Sequence, residues 1–344
     1  MDLRNRDLQD GIYLERCGLV TQPDFSRARA THLNLAENSI HILLEQFLPE
    51  GIQVLDYSYN YIHDDGLPDW WPNTLEELFL TNNCITNHDD EFLWPDHLKV
   101  LCLSKNPLQS IPGDLPNTLE KLFVDRTEIT RTGRLPPNLK VFSAKDARLR
   151  HLPKELPATL EKLYLQRNFL CSQLPRDWGL NLQILNLEKN KLRRFPKNLP
   201  DSLRVLQLSY NEITSIPDKL PENLVFLSIC DNKVRTVGLT KRTHPIQCVY
   251  LKNNQLITKL GEEQVKKDIQ WALSILEDEN WTTAEYILSA KVIQKQYKLF
   301  RLKKILRTWK KQAQIREELL ATSMHPSRAG QYENVSPEWN HWGC

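Results

Sequence analysis

Apolar residues come in pairs two positions apart, and each pair is followed three residues later by Asn and two residues after that by another apolar side chain. Leu78/Leu80 with Asn83 and Ile85, Leu163/Leu165 with Asn168 and Leu170, and Leu206/Leu208 with Asn211 and Ile213 are clean copies. The Asn column recurs every 20 to 23 residues, at Cys17, Asn38, Asn60, Asn83, Asn106, Thr127, Ala147, Asn168, Asn190, Asn211, Asn232 and Asn254. Alternation over three residues predicts a short strand at each copy. A rung of about 21 residues cannot bury its own Leu face, so neighbours above and below must complete a continuous core. The prediction is a solenoid of twelve rungs with a parallel β-sheet on its concave face, roughly 50 Å long at about 4.8 Å per strand.

Each Asn falls where the backbone leaves the strand, where its amide can satisfy main-chain groups that would otherwise be buried unpaired. Its role is structural. Leu-Pro pairs precede most strands, as at Leu115-Pro116, Leu135-Pro136, Leu156-Pro157 and Leu199-Pro200. Proline this frequent excludes an α-helix, so the convex side is expected to be extended, polyproline-like or 3-10 turns. Thr127 and Ala147 replace the ladder residue in consecutive rungs, and Ala144 replaces the second strand Leu, which predicts a local irregularity. Trp70, Trp71, Trp94 and Trp178 occupy or flank the Leu of the Leu-Pro pair and are read as core.

This signature resembles the leucine-rich repeat superfamily over roughly residues 8 to 258. The Leu-Pro-x-x-Leu-x-x-Leu-x-Leu-x-x-Asn form, cleanest from Leu199 to Asn211, is similar to the short Pro-rich subtype of secreted bacterial effectors and some large DNA viruses. The resemblance implies fold far more than function, because the scaffold hosts many unrelated partners.

Charge changes the picture at the C-terminal end. Residues 291–311 hold nine basic residues and no acidic one, so the rest of the chain carries −7 against a total of +2. The reading is therefore three segments: a solenoid over 1–258, an α-helical cap and basic helix over 259–321, and a flexible tail over 322–344. Gly261-Glu262-Glu263 opens an amphipathic run through Val265, Ile269, Leu273 and Leu276 that would cover the solenoid's end. Thr282-Thr283-Ala284-Glu285 matches a capping box and predicts a second helix. Within it, Ile293 to Lys303 resembles an IQ motif, which implies an opening pair Ile293/Gln294, basic positions Lys298 and Lys303, and a calmodulin-like EF-hand partner; Leu299 stands where that motif has Gly. Arg307 and Trp309 extend the same basic helix. Packing on the solenoid or on another copy, and binding of nucleic acid or an anionic membrane, remain competing readings of this arm.

Little points to chemistry. The chain shows no Gly-rich phosphate loop, nucleophile elbow or paired-Cys metal site. His63-Asp64-Asp65 and His88-Asp89-Asp90 stack on adjacent rungs and include possible cation ligands, but with no fixed geometry. We expect no enzyme, cofactor, resident metal or small-molecule substrate. Seven scattered cysteines and a charged N-terminus without an apolar core predict reduced thiols in an intracellular setting, cytoplasmic or virion-associated. The expected function is a protein-interaction scaffold, with a structural role in a larger assembly or viral particle and nucleic-acid association as alternatives. Its binding face is expected along the strands, where Phe79, Phe123, Tyr164 and Tyr250 supply aromatics and Lys105, Arg126, Arg167 and Lys189 a basic ridge for an acidic protein partner.

Overall fold

The computed structural model describes residues 11–86, 94–237, 248–255 and 285–287. They form a parallel-strand solenoid with a strand before each of the twelve ladder positions. The backbone divides into two compact units, Met1–Leu192 with Pro196–Leu203, and Arg193–Phe195 with Arg204–Cys344.

The first unit carries β1 (Ile12–Tyr13), β2 (His32–Asn34), β3 (Val54–Asp56), β4 (Glu77–Phe79), β5 (Val100–Cys102), β6 (Lys121–Phe123), β7 (Val141–Ser143), β8 (Lys162–Tyr164) and β9 (Ile184–Asn186). Each strand pairs in parallel with the next, so that Leu55, Leu78, Leu101, Leu122, Phe142, Leu163 and Leu185 stand directly opposite one another. All seven are 0% exposed. A one-residue slip would turn that column to solvent, so burial fixes the register. The second apolar column, Leu35, Tyr57, Leu80, Leu103, Val124, Ala144, Leu165 and Leu187, is equally buried. Ala144 does not disturb its strand, because Phe142 fills the first column of the same rung; larger beside smaller approximately conserves the volume of two leucines.

In the second unit, β10 (Val205–Gln207), β12 (Phe226–Ser228) and β14 (Cys248–Tyr250) continue the same parallel pattern, and β11 (Ser215–Ile216) pairs with β13 (Thr236–Val237). Here the structure departs from the sequence reading. Where a helix is predicted from Thr282, Glu285–Ile287 form β15, paired in parallel with β14. Tyr286 and Ile287 have high strand propensity, and the edge of β14 offers unpaired N–H and C=O groups that a strand satisfies and a helix does not. The rest of the basic segment, with Ile293, Gln294, Lys298, Lys303, Arg307 and Trp309, lies outside the described residues, as do the amphipathic run from Gly261 and the tail.

Between strands, Pro does more than exclude helix. The carbonyls of Pro49, Pro72, Pro95, Pro116, Pro136, Pro157, Pro200 and Pro221 each accept a hydrogen bond from the Leu or Ile amide three residues on, closing the turn that delivers the chain into the next strand. Short 3-10 turns at Glu45–Phe47 and Asp64–Gly66 complete the outer segments of the early rungs.

The Asn ladder works in both directions. Asn60 Nδ2 donates to Leu35 O at 3.0 Å and Tyr57 O at 3.0 Å, and its Oδ1 accepts from Ile40 N at 2.9 Å. Most strand-exit carbonyls are thereby held twice, by their own Asn and by the next. Thr127 replaces this set with one bond, from its hydroxyl to Val124 O at 2.9 Å, and Ala147 with none. The irregularity expected at these rungs is thus confined to the ladder, while the strands remain in phase.

One backbone conformation escaped the sequence reading. The residue before each ladder site is left-handed in every rung: Arg16, Glu37, Tyr59, Asn82, Lys105, Arg126, Asp146, Arg167 and Lys189 in the first unit, Tyr210, Asp231 and Asn253 in the second, with φ between 52° and 60°. None is Gly. A left-handed non-Gly residue costs about 1–2 kcal/mol, so the ladder and the core must over-determine the turn.

Candidate interaction face

Side chains flanking the buried Leu columns project from the open face of the sheet. Across β1–β4 the exposed or half-exposed charges on this face are Glu15, Glu37 and Glu77 with Arg16, which pairs with Glu37, while Asp56 is buried and accepts from Ser58 N at 2.9 Å. Across β5–β9 the face turns basic, through Lys105, Lys121, Arg126, Lys145, Lys162, Arg167 and Lys189, interspersed with Asp125, Asp146 and Glu188. The basic half contains a repeated hexapeptide: Lys121-Leu122-Phe123-Val124-Asp125-Arg126 on β6 recurs as Lys162-Leu163-Tyr164-Leu165-Gln166-Arg167 on β8. In-register pairing puts Phe123, Ser143 and Tyr164 in one line across β6, β7 and β8. Phe123 and Tyr164 are half-buried, Arg126 and Arg167 exposed, and Ser143 between the rings is 0% exposed. Two copies of a cation–aromatic–cation triplet thus flank a small residue.

A polar row stabilises this face from within. Thr81 and Cys102 meet at 3.0 Å between Oγ1 and Sγ, Ser104 Oγ accepts from Asp125 N at 3.1 Å, and Asp125 Oδ1 accepts from the Ser143 hydroxyl at 2.6 Å and Lys145 N at 2.7 Å. Lys145 Nζ lies 4.0 Å from Asp125 Oδ2 and 5.0 Å from the centre of the Tyr164 ring, tying one triplet to the other. Burial raises the Asp125 carboxyl above the ordinary range, against the opposing pull of Lys145 and Ser143. Burial likewise raises the Cys102 thiol, which suits a packed side chain and not a nucleophile. Partial burial lowers Lys162, and Lys121 on the same face adds repulsion. Beside the face runs a row of alternating charge: Glu76 and Lys99 pair at 2.8 Å, and Glu120 and Lys140 at 2.9 Å.

The aromatic residues named from sequence do not form one patch. Phe79 is only 3% exposed and offers almost no surface. Phe123 and Tyr164 are presented together. Tyr250 belongs to the second unit, where its ring lies 5.4 Å from that of Phe226. The basic ridge coincides with the left-handed column. Within it, Lys105 donates to the Tyr59 hydroxyl at 2.8 Å with Nζ 4.9 Å from that ring's centre, and Arg126 approaches Asp146 at 3.9 Å. Lys121, Lys145 and Lys162 were missed, although the repeated Lys-Leu-aromatic-aliphatic-x-Arg string was there to be read.

Other candidates resolve into structure. Asp64 accepts from Thr86 N at 2.9 Å and from the Thr86 hydroxyl, so its carboxylate closes a turn between rungs; His88, Asp89 and Asp90 lie outside the described residues. Trp71, Trp94 and Trp178 are buried as expected, whereas Trp70 is 53% exposed because its neighbour Trp71 takes the inward position before Pro72.

The Leucine Rich Repeat family pattern matches residues 202–224. Podocan of Mus musculus is 31% identical over 179 residues, 50% of this chain and 26% of podocan. Podocan-like protein 1 of Homo sapiens is 29% identical over 136 residues, 38% of this chain and 26% of that one. The chain thus spans about a quarter of the length of these curated relatives. Among solved structures, YopM from Yersinia enterocolitica WA-314 superposes with a TM-score of 0.53 at 28% identity, covering 66% of this chain and 52% of YopM. A chain of the octameric complex of Latrophilin 3, Unc5D and FLRT2 shares the fold, with a TM-score of 0.52 at 23% identity over 72% of this chain and 75% of that one. Repeat pattern, strand topology and these likenesses together support the leucine-rich repeat superfamily for this chain.

Proposed function

We propose that this protein is a non-enzymatic interaction scaffold that holds an acidic protein segment against the β5–β9 part of its strand face. The observation that carries the reading is the paired presentation of Phe123 and Tyr164, each flanked by Lys and Arg on a rigid sheet. Aromatic and Arg side chains dominate the energetics of protein recognition, and a scaffold built from shared hydrogen bonds spends little entropy in presenting them. The FLRT2 neighbour, found in a complex with Latrophilin 3 and Unc5D, supports a protein as the class of partner. Free thiols at Cys17, Cys84, Cys102, Cys171 and Cys230 fit a reducing, intracellular setting. In this reading the basic segment 291–311 is a second docking element, and titration of the full chain with calmodulin, with and without calcium, examines its IQ-like portion.

Panning a random displayed-peptide library against the full chain tests the first element. The reading expects enriched peptides to be acidic and to lose binding when Phe123 and Tyr164 are replaced by Ala. Enriched peptides indifferent to those changes, but lost on replacing the exposed Trp70 or Leu180, would move the binding surface elsewhere.

A further inference from the structure

The two triplets define a spacing, and the spacing selects a ligand conformation. This inference rests on the interaction-scaffold reading and specifies its partner. Lys121, Phe123 and Arg126 on the β6 rung and Lys162, Tyr164 and Arg167 on the β8 rung occupy equivalent positions, with one rung between them. Parallel strands lie about 4.8 Å apart, so equivalent atoms of the two triplets are separated by about 9.6 Å across the sheet. A ligand crossing the strands to engage both with carboxylates needs acidic groups on one side at that repeat. Residues i and i+2 of an extended strand are about 6.7 Å apart, and on one face of an α-helix residues i and i+4 are about 6 Å and i and i+7 about 10.5 Å apart, on either side of the required repeat. In a polyproline II helix, residues i and i+3 lie on one edge and are about 9.3 Å apart.

We infer that the strand face over β6–β8 binds an extended acidic segment in polyproline II conformation, with carboxylates three residues apart. One carboxylate sits between Lys121 and Arg126 and the next between Lys162 and Arg167. The acidic residues themselves lie over Phe123 and Tyr164, whose rings pack against their methylene groups, and the two intervening residues cross β7 over Ser143. Ser143 keeps the line between the rings low enough for the backbone to pass. Lys145, held between Asp125 and the Tyr164 ring, places a further cation beneath the path. Asp125 and Asp146 on this same face disfavour a uniform polyanion, for which charge at every step is unavoidable, and favour a peptide whose charges are spaced.

Fluorescence anisotropy with the full-length chain and labelled synthetic peptides of equal charge tests this. Glu-Pro-Pro-Glu-Pro-Pro-Glu is expected to bind about ten-fold or more tightly than Glu-Pro-Glu-Pro-Glu or a version with three-proline spacers, the loss corresponding to about one charged hydrogen bond. Lys162→Glu is expected to abolish the preference, and so is Arg167→Ala at an exposed site, with circular dichroism reporting that each variant is folded. Equal affinity for all spacings, still lost with those variants, would overturn the conformational inference while leaving the scaffold reading in place. Peptide binding that in every case ignores both variants would remove the β5–β9 face from the scaffold reading. Tighter binding of a dT oligonucleotide than of every peptide would replace the acidic peptide with nucleic acid.

Discussion

Replacing Asn168 by Ala isolates what the ladder contributes, because its neighbour Ala147 makes the site unusually exposed to loss. Asn168 Nδ2 donates to Ala144 O at 2.7 Å and Leu165 O at 3.0 Å, and Oδ1 accepts from Leu149 N at 2.9 Å. Leu165 O also receives Asn190 Nδ2 at 2.9 Å and stays satisfied without Asn168. Ala144 O has no such second donor, since Ala147 carries no amide. The substitution therefore strands two buried groups, Ala144 O and Leu149 N–H. Asn60→Ala is the matched control: Leu35 O keeps Asn38 and Tyr57 O keeps Asn83, so only Ile40 N–H is stranded. At about 1–3 kcal/mol per stranded group, Asn168→Ala should cost about 2–6 kcal/mol and Asn60→Ala about 1–3. Urea unfolding followed by far-ultraviolet circular dichroism measures both. In an Ala147→Asn background, which supplies Ala144 O with a second donor, the Asn168→Ala loss should shrink toward that of Asn60→Ala. Equal losses for the two single substitutions, or no rescue, would refute the doubly held carbonyl.

Three further outcomes follow from individual positions. Tyr57 fills a Leu position at 0% exposure and its hydroxyl has no partner among the described residues, so Tyr57→Phe should stabilise by about 1–2 kcal/mol in the same unfolding assay; a loss of stability would show that the hydroxyl is satisfied. Asn82 is exposed with φ 55°, so Asn82→Val should cost about 1–2 kcal/mol and Asn82→Gly less than about 0.5, and similar values for both would contradict the conformational demand of that column. The raised Asp125 carboxyl penalises its charged form in the fold, a cost fully present above the folded pKa and gone below the unfolded value of about 3.9. Asp125→Asn should therefore raise Tm at neutral pH, with a gain that fades as pH falls through that window; a gain that grows on acidification has the wrong sign.

Most of the fold was legible because each rung repeats the same solution. Leu at two strand positions, Asn three residues on and Pro before the next strand each have a local cause, and their recurrence fixes register without long-range information. Ala144 was readable as a departure but not as a compensated one, since compensation requires knowing that Phe142 and Ala144 fill one rung together. The left-handed column carried no sequence mark: Lys, Arg, Glu, Asp, Asn and Tyr all occupy it, and only the turn geometry enforced by the ladder reveals it. Exposure was the harder quantity. Phe79 and Phe123 have similar sequence contexts, yet Phe79 is buried and Phe123 only half-buried. The helix expected at Thr282 rested on a capping pattern, which is local, whereas β15 draws on the open edge of β14, which is not.

A crystal structure of the full chain with Glu-Pro-Pro-Glu-Pro-Pro-Glu bears most directly on the claim that the repeated triplets form a recognition face. Successive carboxylates should lie within about 4 Å of Lys121 or Arg126 and of Lys162 or Arg167, with the peptide crossing β7 above Ser143. A peptide seated on the outer turns, or running along a single strand with one triplet empty, would contradict it.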